Sequence, residues 1–444
     1  MSKQSSGRSQ PRYILGLLVL AYMSSYIDRV ALGIFGEAIK RDLDITDTEL
    51  GILTGFVFVI FYSILGVPIG RLADKLPRGK LLAACLMVWS GMTALAGLAN
   101  GFTTLLLTRI GVGVGEAGLT PAAHSLLSDL YPRNKRSFAF AVFGAGPPLG
   151  IIIGSLGGGW IAQQLGWRIG MLALGVPGII LGLLFLFTVR EPKRGVFDGN
   201  VDAAAVPEFR EALRTCLRDP LYILVTAGMS CAAIALYSLS TFTVPYLIRR
   251  FEIDLFTAAS LFGLSYGIAG AIGAAVGGVL TDCAGARDHR WYAGVPAINY
   301  FIGGLCLMAA LFQHDHRLFT ACFVVGAVCV NLALAPAQAV VLNRFGPRMR
   351  ASASAMQLLA TGVIGLGIGP TMTGFISDKI AAARFGVDYR SVCAHPAAGV
   401  EDVCARAAAD GLQQALTLAV GVYLLASLIY LIAVRFTTPR SSAG

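Results

Sequence analysis

The sequence predicts an all-α membrane protein with twelve membrane-spanning helices in two six-helix halves. Three observations predict it: an apolar excess too large for a soluble domain, twelve apolar runs of bilayer length, and an internal repeat. The chain has 444 residues, of which 56% are hydrophobic and 14% charged, and its mean hydropathy is +0.70. Soluble domains hold roughly 45–50% apolar and about 25% charged residues, and their cores stop growing near ~250–300 residues. The excess must be buried in lipid, which excludes secreted, disordered, fibrous and soluble-enzyme classes. The net charge of +10 could suggest a nucleic-acid partner. The bases are scattered over short loops instead, as membrane topology requires, so no nucleic acid is expected.

Apolar runs able to cross the ~30 Å hydrocarbon core occupy 13–35, 50–71, 80–99, 102–128, 137–163, 168–189, 220–247, 256–281, 291–312, 317–343, 350–380 and 411–434. The first follows a polar stretch, Met1 to Arg12, and no small-residue cleavage site follows it. It reads as a retained helix rather than a signal peptide. With the N-terminus inside, cytoplasmic segments hold 23 of the 35 Lys and Arg residues and external loops hold 10. That bias places both termini in the cytoplasm, with a bacterial inner membrane as the expected location. The segment from Arg190 to Asp219 is the one long charged interior stretch. It divides the chain into a half at 1–189, a cytoplasmic linker at 190–219, and a half at 220–444.

The halves repeat. Leu119-Thr-Pro121-Ala122 matches Leu334-Ala-Pro336-Ala337, Pro132-Arg133 matches Pro347-Arg348, and Ser137 matches Ser352, all 215 residues apart. Gly70-Arg-Leu72-Ala-Asp74 echoes Gly278-Val-Leu280-Thr-Asp282 at an offset of 208. Chance apolar similarity does not align prolines, arginines and aspartates. Two six-helix halves related this way are the architecture of secondary transporters, with the substrate site between them near mid-membrane.

Several motifs resemble the major facilitator superfamily over essentially the whole chain. Gly70-Arg-Leu-Ala-Asp74-Lys-Leu-Pro-Arg78-Gly-Lys80 is similar to that family's signature between its second and third helices. Arg109-Ile-Gly-Val-Gly113-Val-Gly115-Glu116-Ala resembles its fourth-helix signature, and Gly144-Ala-Gly146-Pro147-Pro148-Leu-Gly150 its Gly-Pro motif in the fifth. Tyr26-Ile-Asp28-Arg29, combined with Gly115-Glu116-Ala117, looks most like the spinster branch. That resemblance implies sphingolipid or lysophospholipid export. Organic-anion and sugar-phosphate carriers share similar patterns, so the resemblance leaves them as the alternative.

Four charges lie well inside first-half spans: Asp28, Arg29, Arg109 and Glu116. Charges at bilayer depth are costly, so they normally face a cavity and pair. At ~1.5 Å rise per residue, Asp28 lies roughly 22 Å up from the inner end and Arg109 roughly 10 Å down from the outer end. Those depths nearly coincide in a ~30 Å slab, so the two can meet. Glu116 is two turns deeper on the Arg109 face, because i and i+7 align. The expected result is a carboxylate–guanidinium–carboxylate column. One Arg cannot neutralise two carboxylates, so Asp28 or Glu116 is expected to carry a proton. A purely structural ion pair is the competing reading. At the 215 offset, Arg109 and Glu116 become Val324 and Asn331. One polar wall and one apolar wall would suit an amphipathic anion, its headgroup on Arg109. Candidate substrate contacts are Arg109, Arg29, Tyr26 and His124 in the first half. Tyr237, Ser240, Asn331, Gln338 and Gln357 are those of the second.

Gating is expected at Gly70, Asp74 and Arg78, where Asp74 would meet the N-terminus of the eleventh helix, a position favoured by typically 0.3–1 kcal/mol. Asp282 is its counterpart, although the following Cys283-Ala-Gly departs from the basic pattern. Gly146, Pro147 and Pro148 read as a kink that lets the fifth helix rock. Gly150, Gly154 and Gly158 read as close helix packing rather than a phosphate loop. Cys393 and Cys404 are the only external cysteine pair and are expected to form a disulfide. His314-Asp-His316 lacks further ligands, so no metal and no cofactor are expected, and no nucleophile–base set points to an enzyme.

The sequence therefore points to a monomeric secondary transporter that works by alternating access. Its expected partners are a small amphiphilic or anionic substrate, protons and the bilayer. A membrane-embedded enzyme or receptor is a distant alternative.

Overall fold

The computed structural model describes residues 10–192, 194, 209–345, 349–386, 389–394 and 399–437. Every regular element among them is helical. Eleven helical stretches are long and apolar enough to cross a membrane. The fourth expected span is not among the eleven, and it is divided into Phe102–Glu116 and Leu119–Leu130. Each piece is shorter than the ~20 residues a bilayer demands.

The break has a covalent cause. Pro121 has no N–H to give the Ala117 carbonyl one turn earlier, and its ring crowds that oxygen. The tenth span breaks in the same way, into His316–Leu332 and Leu334–Arg344, with Pro336 placed like Pro121. Both second segments start at repeat-equivalent residues, Leu119 and Leu334. Both re-form their first hydrogen bond at 3.3 Å, Ala122 N to Gly118 O and Ala337 N to Ala333 O. The repeat thus extends from sequence to backbone.

Three other spans carry π segments, which mark local strain or function more often than ordinary helix does. They are Ile52–Phe56 in the second span, Gly154–Gly158 in the fifth and Val363–Ile368 in the eleventh. The fifth span also stops at Phe143 and restarts as Gly146–Ile153, with Pro147 and Pro148 in its first turn. Prolines are tolerated there because those N–H groups have no helical partner. The expected kink is therefore a helix break with a proline-started second segment. Gly150, Gly154 and Gly158 all face the first span, near Tyr26, Ile27 and Phe35 respectively.

The sixth span, Trp167–Thr188, shows how these helices divide their surfaces. Leu172, Val176, Ile180, Leu183 and Phe187 form an exposed row at helical spacing. Gly175, Gly178 and Gly182 form the opposite row and lie against Ser90, Ala94 and Met87 of the third span. Large residues face lipid, and small ones let backbones approach.

By contacts the chain forms two compact units: 1–45, 57–202 and 254–263, and then 46–56, 203–253 and 264–444. The start of the second span belongs to the second unit and the start of the eighth to the first. These two exchanged stretches are themselves related by the 208 offset. Within the linker, Phe209–Arg218 is helical and the segment 195–208 lies outside the described residues.

Candidate functional site

The buried charges of the first unit gather around the break in the fourth span. Glu116 is the last residue of Phe102–Glu116, and its side chain is fully buried. Its Oε2 accepts from Arg29 Nε at 2.8 Å and from Ser25 Oγ at 2.9 Å. Its Oε1 has no hydrogen-bond partner. Arg29 remains 22% exposed, and its guanidinium lies 5.2 Å from the Tyr26 ring, 5.0 Å from Phe58 and 5.2 Å from Tyr62. An aromatic box of this kind holds a cation at about 0.5–2 kcal/mol per face, depending on desolvation.

The expected column is thus revised. Glu116 pairs with Arg29, not Arg109. Arg109 lies within electrostatic reach of both Asp28 and Glu116 but makes no hydrogen bond to Glu116. Asp28 is fully buried and lies within electrostatic reach of Arg109 and Glu116, next to Thr93 and Trp89. Thr93 and Trp89 approach the Asp28 carboxylate without closing to hydrogen-bond geometry, and Arg109 Nε and Nη2 likewise have no partner within it. Buried polar groups without close partners are rare in folded proteins. The residue one step from Asp28 turns about 100° around the helix. That rotation carries Arg29 to the open aromatic side while Asp28 faces the third span.

His124 lies one segment further on, edge-on to Phe140 at 5.1 Å and Phe143 at 5.8 Å. Tyr22 stacks on Phe143 at 4.5 Å and meets Tyr26 edge-on. Arg29, Tyr26, Tyr22 and His124 thus line one aromatic track along the first unit.

The second-unit candidates are less uniform. Asn331 is buried and donates to the Ala327 carbonyl at 2.8 Å, its side chain lying over Gly273. Gln357 is buried with Nε2 at 3.0 Å from Met229 Sδ, a packed position rather than an open one. Tyr237 and Ser240 are half-buried, and Gln338 is exposed.

Of the gating set, Arg78 is the best fixed. Its side chain is 1% exposed, and it donates to Asp129 at 2.5 Å, Glu191 at 2.7 Å and Ser125 at 2.8 Å. It ties the start of the third span to the ends of the fourth and sixth, all within the first unit. A Cβ at Gly70 would meet Pro121 at ordinary contact distance. The side chains of Asp74 and Asp282, and residues Pro347 and Arg348, lie outside the described residues.

The sequence reading missed a second charged cluster, at the end that loop charges assign to the outside. In the second unit Arg249 donates to both oxygens of Asp47, at 2.8 and 2.7 Å, and Ser377 donates to Asp47 at 2.7 Å. Asp378 accepts from the backbone N–H groups of Asp47 and Thr48 at 3.2 and 2.8 Å. A carboxylate from the eleventh span therefore caps the N-terminus of the second, where the helix dipole favours it. In the first unit, Gln163 accepts from Phe256 N at 2.6 Å at the start of the eighth span. Residues 163 and 378 differ by 215, and 48 and 256 by 208. The two caps are repeat mates, one charged and one neutral. Just before the latter, the Thr257 hydroxyl holds the Asp254 carboxyl below the usual carboxylate range. Cys393 and Cys404 are bonded, with Cα atoms 5.6 Å apart.

Comparison with known proteins completes the picture. The profile of the Major Facilitator Superfamily matches residues 18–370. An MFS-type efflux pump of Mycolicibacterium smegmatis is 33% identical over 368 residues, 82% of this chain and 84% of that one. A probable L-galactonate transporter of Escherichia coli is 25% identical over 84% of each chain. In fold, the chain resembles a crystal structure described as a bacterial homolog of the human lysosomal transporter Spinster, inward-facing and unoccupied. The TM-score is 0.88 at 28% identity, over 98% of both chains.

Proposed function

Since the chain belongs to the major facilitator superfamily, we propose that it moves an anionic amphiphile, a lysophospholipid or sphingolipid phosphate, by proton-coupled alternating access. It is a multi-pass membrane transporter of the spinster-like kind, not an enzyme. One observation carries both the amphiphile and the proton. Arg29 is a partly exposed cation within a first-unit span, its charge shared between Glu116 and three aromatic faces. A guanidinium takes a phosphate or carboxylate bidentately, so an anionic headgroup competes with Glu116 for it. Protonating Glu116 removes the competitor and leaves Ser25 its neutral acceptor. Substrate and proton are then linked through one side chain. Asp28 and Arg109 sit behind this pair as a second, deeper reservoir of charge. Both termini belong in the cytoplasm on the loop-charge bias.

A second reading has specific support. The probable L-galactonate transporter is named for a small hydrophilic acid, and Arg29 would bind its carboxylate equally well. Uptake into proteoliposomes separates the two. Lysophosphatidylglycerol should be moved in response to a pH gradient and galactonate should not compete. Galactonate transport without lysolipid transport would replace the first reading with the second.

A further inference from the structure

The helix Phe209–Arg218 is used by nothing described so far. It packs on the start of the seventh span and on the start of the eleventh, both within the second unit. Its last residue precedes Asp219, which caps the seventh span through Leu221 N and Tyr222 N and pairs with Arg344 at 2.6 Å. The helix therefore ends at the point where a membrane-crossing segment begins.

Around its circumference the residues sort by chemistry. At about 100° per residue, Ala212 and Cys216 share the side that is buried against the protein. Next comes an apolar sector with half-buried Leu213 and with Leu217, which is 58% exposed. Arg210, Arg214 and Arg218, four residues apart, follow as one exposed stripe. Glu211 and Thr215 complete the circle. None of the three arginines has an ion pair with a described residue. Protein, apolar, basic and polar sectors in that order are what a helix lying in a membrane surface presents. The apolar row faces the acyl boundary, and the long arginine stems reach back to headgroup level.

We propose that this linker helix is an anionic-lipid contact: Leu217 enters the leaflet while Arg210, Arg214 and Arg218 hold lipid phosphates. The occupant is a bilayer headgroup rather than a soluble anion, because the arginine stripe adjoins an exposed leucine at a membrane boundary. Each arginine near an anionic surface favours it by about fivefold.

The full-length protein in nanodiscs tests this by amide hydrogen exchange over 209–218. Discs of phosphatidylcholine alone are compared with discs containing phosphatidylglycerol. Phosphatidylglycerol should slow exchange, and each single Arg→Gln change should weaken the slowing by about fivefold. The triple Gln variant should lose it, and the triple Lys variant, which keeps the charge, should retain it. Leu217→Asp should lose it even with the arginines present. Inorganic phosphate added to phosphatidylcholine discs should not reproduce it. Equal exchange in both disc types, a full response from the triple Gln variant, or no response from the triple Lys variant would each overturn the proposal. Melting temperatures of the variants in phosphatidylcholine discs, expected to match the parent's, separate a lost lipid contact from a lost fold.

Discussion

Arg29 and Glu116 should be strongly and unequally coupled, and a double-mutant cycle measures this. Arg29→Met leaves Glu116 fully buried, with only the Ser25 hydroxyl as hydrogen-bond donor. An uncompensated buried charge costs about 3–5 kcal/mol. Glu116→Gln is milder. The amide oxygen still accepts from Arg29 and Ser25, so the loss is the difference between a charge-assisted and a neutral bond, about 1–2 kcal/mol. Arg29, being partly exposed, retains water and the faces of Tyr26, Phe58 and Tyr62. Making both changes removes the orphaned charge that dominates the first, so the double variant should be more stable than Arg29→Met alone. The coupling should be about 2–3 kcal/mol, well above the ~0.5 kcal/mol expected of independent sites. Thermal unfolding in nanodiscs, followed by tryptophan fluorescence, supplies the ordering. In proteoliposomes Glu116→Gln should still bind substrate but lose its response to pH. Additive stabilities, a Glu116→Gln variant less stable than Arg29→Met, or an unchanged pH profile would refute the linkage.

Four further outcomes are expected. Asp378→Asn, which weakens a charged helix cap by about 0.3–1 kcal/mol, should raise thiol labelling of cysteines introduced near Thr48; unchanged labelling would mean the cap does not hold that end. Arg78→Lys keeps the charge but cannot serve Asp129, Glu191 and Ser125 together. It should lower the melting temperature, with Arg78→Ala lower still. The Cys393–Cys404 bridge closes a loop of about a dozen residues, worth ~3 kcal/mol in the chain-entropy model; mass spectrometry of the unreduced protein should find no free thiol at either position. Asp254 is held below its ordinary range, so its cap contributes at pH above the usual carboxylate range. That contribution is lost as pH falls through the depressed value, and Asp254→Asn should flatten the acid limb of a stability–pH profile.

The fold was legible in the sequence because lipid imposes a simple rule: long apolar runs become helices, and matched prolines and arginines expose their repetition. Pro121 and Pro336 even marked the two helix breaks, although they served only as repeat markers, since proline is common inside membrane helices. Depth was readable too, because helical rise is fixed, and it brought Asp28 within reach of Arg109. Side-chain direction was not readable. Arg29 and Arg109 compete for the same carboxylates, and the outcome turns on which guanidinium finds an aromatic-lined opening. The outer cluster was illegible for another reason. Asp47 and Arg249 are 202 residues apart and Asp47 and Asp378 are 331 apart, and each reads as an ordinary charge near a helix end. The repeat could have offered a hint, since Gln163 and Asp378 occupy equivalent positions.

That equivalence bears on how two similar halves come to do different work. At mid-depth the first half carries a carboxylate, Glu116, where the second carries an amide, Asn331. At the predicted outer end the order reverses: the second unit's cap is the carboxylate of Asp378 and the first unit's is the amide of Gln163. The N-cap residues reverse the order again, with the Thr46 hydroxyl accepting from Glu49 N and the Asp254 carboxylate accepting from Thr257 N, so each end holds one carboxylate on backbone N–H groups. The second unit's end is further braced by Arg249 and Ser377 through Asp47, whereas the first unit's adds only the Thr257 hydroxyl on Asp254. Helix ends of unequal strength release in sequence rather than together. The end at Phe256, which has no arginine brace among the described residues, should open first, and the braced end at Thr48 should set the barrier. On this reasoning the offset of charges between the repeats gives a symmetric scaffold a preferred order of motion.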